Sequence, residues 1–267
     1  MTTLPNSGSD GSLHGLWRAI ASQELRELWF SAKGLAVLFG YTLLMSVMSY
    51  IAASEASLNL LDARESVGII VRVTIAFGTL AAMVVSADVI SGERERGTLE
   101  ALLVTPVSRR DIVIGKLLAA STIWVAVVVV SVPYVLVLAR GPGVMADALL
   151  VTVIAGSLVA AALTALGLAI SAISFSNRVS LATSFAVLLL LAAPSQLPAV
   201  TASGVLGSIL IKANPVSAGL SLANAVLVDQ KSWGSQWQLL ISPSVGAVIL
   251  TLVAIALSRR LELGGAR

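Results

Sequence analysis

The side chains best equipped for chemistry gather in one stretch, SGERERGTLEALLVTPVSRRD, residues 91–111. Gly92 and Gly97 have the G-x-x-x-x-G spacing of a phosphate-binding loop, whose backbone amides cradle phosphate oxygens. Thr98 and Leu99 stand where that loop needs its lysine and its hydroxyl residue, and no strand precedes, so nucleotide binding is not expected here. Glu93 and Glu95 form a carboxylate pair of the kind that could activate water. They alternate with Arg94 and Arg96, however, a pattern of ion pairing or partner contact rather than of a general acid and base. His14 is the only histidine and sits in a polar opening segment. Cysteine is absent, which removes thiolate nucleophiles, disulfides and thiolate metal sites. The chain is expected to carry no catalytic, cofactor or metal site of its own.

The elements that position this stretch are apolar. With 57% apolar and 12% charged residues and a mean hydropathy of +0.95, the chain is expected to be an all-α polytopic membrane protein. A hydrocarbon slab about 30 Å thick calls for roughly 20 apolar residues per helical span, because backbone groups find no water there. Such runs fall at about 34–53, 67–90, 112–139, 148–174, 179–197 and 237–258. Six spans place both termini on one face. That face collects twelve of the seventeen basic residues, among them Arg94, Arg96, Arg109, Arg110 and Lys116, so it is expected to be cytoplasmic in an inner membrane. Tyr50, Tyr134, Trp233 and Trp237 fall near the outer boundaries, where amphipathic rings belong. The net charge of +3 is thus a topology signal and not a sign of nucleic-acid binding.

Outside the spans, residues 1–12 read as a flexible tail without the features of a signal peptide, and 13–267 as a single transmembrane domain. Residues 13–32 place Leu13, Leu16, Trp17 and Ile20 on one helical face, continued by Leu25, Leu28 and Trp29. This suits an amphipathic helix lying in the membrane interface or, alternatively, one packed on a partner. The fourth span is rich in small residues, including Gly156 and Gly167, which favours close helix packing within one subunit or between two. Residues 198–236, broken by several glycines and Pro215, are expected to form short external or re-entrant helices, with two further spans as the competing topology. Within the spans, Arg72 and Asp88 are ionisable and costly to bury. Structural roles are expected for both: Arg72 reaching outward, Asp88 reaching the inner interface toward Arg178 or Lys116.

The charged stretch itself divides into pieces. Gly97 can stop one helix and Thr98 can cap the next, with Glu100 near its positive end. A short helix over Leu99–Val104 would carry Leu99, Leu102 and Leu103 on one face, and Pro106 would close it. Ser108 and Asp111 form a capping box for the third span. Physics alone leaves two readings open: a docking helix whose charges fix its register on a partner, or a solvated loop that only sets topology.

Residues 90–119, ISGERERGTLEALLVTPVSRRDIVIGKLLA, resemble the motif that follows the second span in ABC-2-type permeases. There a Glu-rich run, Gly-Thr-Leu-Glu, Leu-Leu, a proline and a Gly-Lys recur. The interfacial helix, the six spans and the outer segment containing Asn214 and Pro215 are similar to the same plan. The resemblance implies the membrane subunit of an ABC exporter, dimeric with itself or a homologue, with ATP and magnesium held by a separate ATP-binding subunit. It implies that the short helix couples the two, through Glu93, Glu95, Arg96, Thr98, Leu99, Glu100, Leu102 and Leu103. The rival readings are an ion-coupled transporter or channel without an ATPase, which would need intramembrane ionisable groups or broken spans, and an integral membrane enzyme.

Overall fold

The computed structural model describes residues 16–57, 63–99, 104, 107–140, 143–196 and 205–260. All regular structure among them is helical. In chain order it comprises α1 (Leu16–Phe30), α2 (Ala32–Ser57), α3 (Ala63–Glu95), α4 (Arg109–Leu138), α5 (Met145–Ile173) and α6 (Asn177–Ala192), which continues as a 3-10 turn at Ala193–Gln196. Then come α7 (Val205–Ala213), α8 (Pro215–Leu227), α9 (Trp233–Gln236) and α10 (Gln238–Leu257), ending in a 3-10 turn at Ser258–Arg260.

Six of these helices are long and apolar enough to cross a bilayer: α2, α3, α4, α5, α6 with its extension, and α10. The helices α7, α8 and α9, of 9, 13 and 4 residues, are too short to do so. The segment between the fifth and sixth spans therefore consists of short helices where it is described; residues 197–204 lie outside the described residues, as do the opening tail and His14. Asn214 starts α8 by accepting the Val216 and Ser217 amides at 2.9 and 3.3 Å. Its own amide donates to the Leu191 carbonyl at 2.7 Å, fastening α8 to the end of α6. Pro215 follows at the first helical position, where its missing N–H leaves no bond unmade.

The longest helix departs from expectation. α3 runs for 33 residues, Ala63–Glu95, instead of stopping near residue 90. At 1.5 Å per residue it is about 50 Å long, so it outruns a hydrocarbon core of about 30 Å. Glu93, Arg94 and Glu95, expected in a loop, form its last turn. The end of the bundle holding this turn and the start of α4 is called the loop end below, the opposite one the far end.

α3 and α5 form the centre and are more than half buried, whereas α2, α6 and α10 present most of their surface outward. Their outward side chains, such as Phe39, Leu43, Leu190 and Leu252, are apolar and suit lipid. Between helices in hydrocarbon the attraction is close packing. A Cβ on Gly156 would lie 2.5 Å from the Trp124 ring, whose Nε1 donates to Ser157 Oγ at 2.9 Å, and one on Gly167 would lie 2.5 Å from the Met83 carbonyl oxygen. The small residues of α5 thus serve packing within this chain.

A single residue, Ser31, separates α1 from α2, making an elbow at the loop end. The inward stripe of α1 comprises Trp17, Ile20, Ala21, Leu25 and Leu28. Ile20 and Ala21 are buried against Gly115 of α4, and Trp29 Nε1 donates to Thr122 Oγ1 at 3.1 Å. The centre of the face expected to lie in the interface is therefore covered by the chain itself; Leu13 lies outside the described residues.

Candidate functional site at the loop end

Helix α3 stops where the chain needs a left-handed residue: Gly97 has φ +72°, and its amide turns back to the Arg94 carbonyl at 3.2 Å. The Thr98 hydroxyl donates to the Glu93 carbonyl at 3.3 Å. It thus serves the end of α3, whose last carbonyls lack partners within the helix, instead of only heading the next element as expected. Leu99, placed by its spacing on an outward docking face, is 2% exposed and packs with Ile90, Val113, Leu168 and Ala172. The turn at Gly97 folds it back against the bundle. Glu100, Leu102, Leu103 and Pro106 lie outside the described residues. On the return, Ser108 Oγ accepts the Asp111 amide at 3.1 Å and donates to the Asp111 carboxylate at 2.7 Å, which is the capping box read from the sequence.

The two ends of this loop are clamped by one lysine. Lys116 Nζ, two turns into α4 with its side chain wholly buried, lies 2.6 Å from Glu93 Oε1 of α3 and 2.5 Å from Glu24 Oε1 of α1. The carboxylate side chains are 14% and 17% exposed, so this is a shielded cluster of two negative charges and one positive. Glu93 Oε2 is buried without a hydrogen-bond partner. In such surroundings ion pairs hold only through short contacts and good geometry, and losing one partner is far costlier than in water. Glu93 is thus turned inward, and the entry of the loop, its exit and the elbow helix share a single ammonium group.

Further contacts tie the same turn to α5 and α6. Arg94 donates to the carbonyls of Ala172 and Ser174 at the end of α5, a favourable place for a cation. Glu95, although exposed, accepts the Asn177 backbone amide at 3.1 Å and so meets the positive end of α6. Asp88 pairs with Lys33 of α2 at 2.8 Å and accepts from Asn177 Nδ2 at 2.7 Å. It does reach a loop-end partner, but neither expected one: Lys116 is engaged with the two glutamates, and Arg178 is exposed. Arg96 is exposed and, with Asp88, Glu27 and Glu93, borders a cavity of about 500 Å³ walled by Val37, Val84 and Ala119.

At the far end, Arg72 Nε donates to the Gly68 carbonyl and Nη1 to Asn224 Oδ1 of α8, both at 3.2 Å. The side chain thus runs toward the far end of its span, as its length allows.

Nucleophile–base pairs do not appear in the loop-end contacts, and among the described residues no group of three or more His, Cys, Asp or Glu side chains is placed to hold a metal ion. The arrangement defines a polytopic helical membrane protein with an elbow helix and a clamped loop between its second and third spans. Residues 18–261 match the ABC-2 family transporter proteins, and the chain belongs to that family, a class of membrane permeases of ABC transporters. A 45-residue stretch is 51% identical to the ABC transporter permease protein NatB of Bacillus subtilis (strain 168). That stretch is 17% of this chain and 12% of NatB, so the chain matches only a small part of that relative's length.

Glu24 was not singled out from the sequence, and Lys116 was named there only as a basic residue of this face and a possible partner of Asp88. Glu24 carried a signal, since it follows Ile20 by four residues and Ala21 by three and so stands on the buried stripe of α1. A carboxylate on such a stripe calls for a cation opposite.

Proposed function

We propose that this chain is the membrane-spanning permease subunit of an ATP-driven exporter of the cytoplasmic membrane. Its drive is ATP hydrolysed, with magnesium, on a separate ATP-binding subunit seated against the loop end. The observation that carries this reading is the clamp at Lys116. A loop whose entry, exit and neighbouring elbow helix share one buried cation moves as a unit, so a push on the loop reaches α1, α3 and α4 together. A loop that served only to set topology would need no such bracing. The excess of basic residues at this end supports a cytoplasmic placement for it and for both termini. A second permease, identical or homologous, completes the pathway, and the scarcity of charge within the spans suits a hydrophobic or amphiphilic cargo.

The test is co-expression with the ATP-binding subunit encoded beside it, followed by purification of the complex. Leu102→Asp with Leu103→Asp should release the ATPase while the permease still inserts in the membrane. Retained assembly with normally coupled hydrolysis, or transport by the permease alone, would overturn the proposal.

A further inference from the structure

We infer that Arg72 and the far-end cavity it lines bind an anionic oxygen group, phosphate or carboxylate, carried by an amphiphile. Arg72 sits within a membrane-spanning helix, where a permanent charge is expensive and persists only with a partner or a function. Its guanidinium offers five N–H donors. Two are used, on the Gly68 carbonyl and on Asn224 Oδ1, and both acceptors are neutral. The ion pairs formed among the described residues do not include Arg72. The neighbouring carboxylate on the cavity wall, Asp229, is already engaged at 2.9 Å by Lys231, which lines the same cavity. Two cations therefore face the cavity against one carboxylate.

The cavity has the other features of a binding site. It encloses about 650 Å³, with Ile69, Val73, Leu220 and Leu239 along one part of its lining. Asn224 comes from α8, which Asn214 fastens to the end of α6, so its amide holds one edge of the guanidinium in place. A planar fork with free donors matches the paired oxygens of a phosphate or a carboxylate. The apolar lining suits a hydrocarbon portion. The combination selects an anionic amphiphile over a small hydrated anion or a cation. The inference concerns the far end alone and stands whether or not an ATPase drives the protein.

The experiment uses the full chain purified in detergent, with retention of added lipid followed by native mass spectrometry. Phosphatidylglycerol is compared with phosphatidylcholine, and inorganic phosphate is titrated against the bound lipid. The wild-type protein should retain phosphatidylglycerol over phosphatidylcholine by at least about tenfold, as expected for loss or gain of one charge-assisted pair. Arg72→Gln should abolish that preference, Arg72→Lys should keep part of it, and Arg140→Gln, an exposed arginine outside the cavity lining, should keep all of it. Displacement by millimolar inorganic phosphate would assign recognition to the anionic group itself; its failure to displace would assign it to the lipid as a whole, and both support the site. Equal retention of the two lipids by the wild-type protein would overturn the inference without recourse to any variant. So would a preference that survives Arg72→Gln, or one lost equally in Arg140→Gln.

Discussion

Replacing Lys116 by methionine is the most direct probe of the loop-end clamp. Methionine fills a similar volume but leaves Glu24 and Glu93 facing each other in a site that shields both, with no cation between them. Removing one member of a buried ion pair costs about 3–5 kcal/mol, and the 14% and 17% residual exposure of the two carboxylates places the expected loss near the lower figure, about 3 kcal/mol. At roughly 2–4 °C per kcal/mol for a chain of this size, the unfolding midpoint should fall by about 6–12 °C. The glutamates should behave differently. Glu24→Gln leaves Lys116 paired with Glu93 and removes the repulsion between two carboxylates, so it should shift stability by less than about 1 kcal/mol. The triple variant Lys116→Met, Glu24→Gln, Glu93→Gln removes every charge and should recover much of what Lys116→Met loses, because a neutral replacement of a buried ion cluster is often nearly neutral in energy. Thermal scans in detergent can follow tryptophan emission, since the chain has five tryptophans and no cysteine for a thiol dye. A midpoint for Lys116→Met within 2 °C of wild type, on the order of the smallest shift predicted per kcal/mol, would refute the reasoning. A triple variant no better than the single one would do the same.

Gly156→Ala should destabilise by about 1–3 kcal/mol through overpacking, with a shift in tryptophan emission, because its Cβ would meet the Trp124 ring at 2.5 Å while Ser157 holds that ring in place. Asn214→Ala should cost about 1 kcal/mol in the same thermal assay by uncapping α8, whereas Asn214→Asp keeps the capping acceptor but sets a second carboxylate oxygen against the Leu191 carbonyl in place of a donor, so it should recover only part of that loss. Gly97→Ala should lower the midpoint by about 1 kcal/mol equivalent through backbone strain alone, since no atom lies within 4 Å of its added Cβ; Gly97→Asn should be milder.

Much of this architecture is legible in the sequence because the bilayer imposes simple rules. Length and hydropathy place the spans to within a few residues, and local grammar places the cap at Ser108 and the stop at Gly97. The end of α3 was not legible in the same way. Hydropathy falls at Ser91, yet past Gly92 the residues Glu93, Arg94 and Glu95 are good helix formers, and this charged turn is held by tertiary partners that hydropathy does not encode. Leu99 failed for a related reason: spacing says which leucines share a face but not which way the face turns after a left-handed residue. Lys116 was read as a basic residue of this face and a possible partner of Asp88, although Glu24 on the buried stripe of α1 marked the need for a cation.

One helix carries both candidate sites. Arg72 and Glu93 lie 21 residues apart on α3, roughly 30 Å at 1.5 Å per residue, with neither proline nor helix break between them. The intervening surface is the most deeply packed in the molecule, against α5 along Ser86 and Gly167 and against Trp124 of α4 at Gly78. A helix so held has little freedom to bend and transmits displacement along its axis or by tilting as a whole. Asn224 belongs to α8, which shares a buried cluster with this stretch of α3, Ile70 and Val71 lying with Leu222 and Val226, and which is also fastened to α6 through Asn214. Were a displacement of α3 to change the spacing of Arg72 and Asn224, linkage would make the effect reciprocal: an anion that bound one arrangement more tightly would favour the matching position of the turn at Glu93.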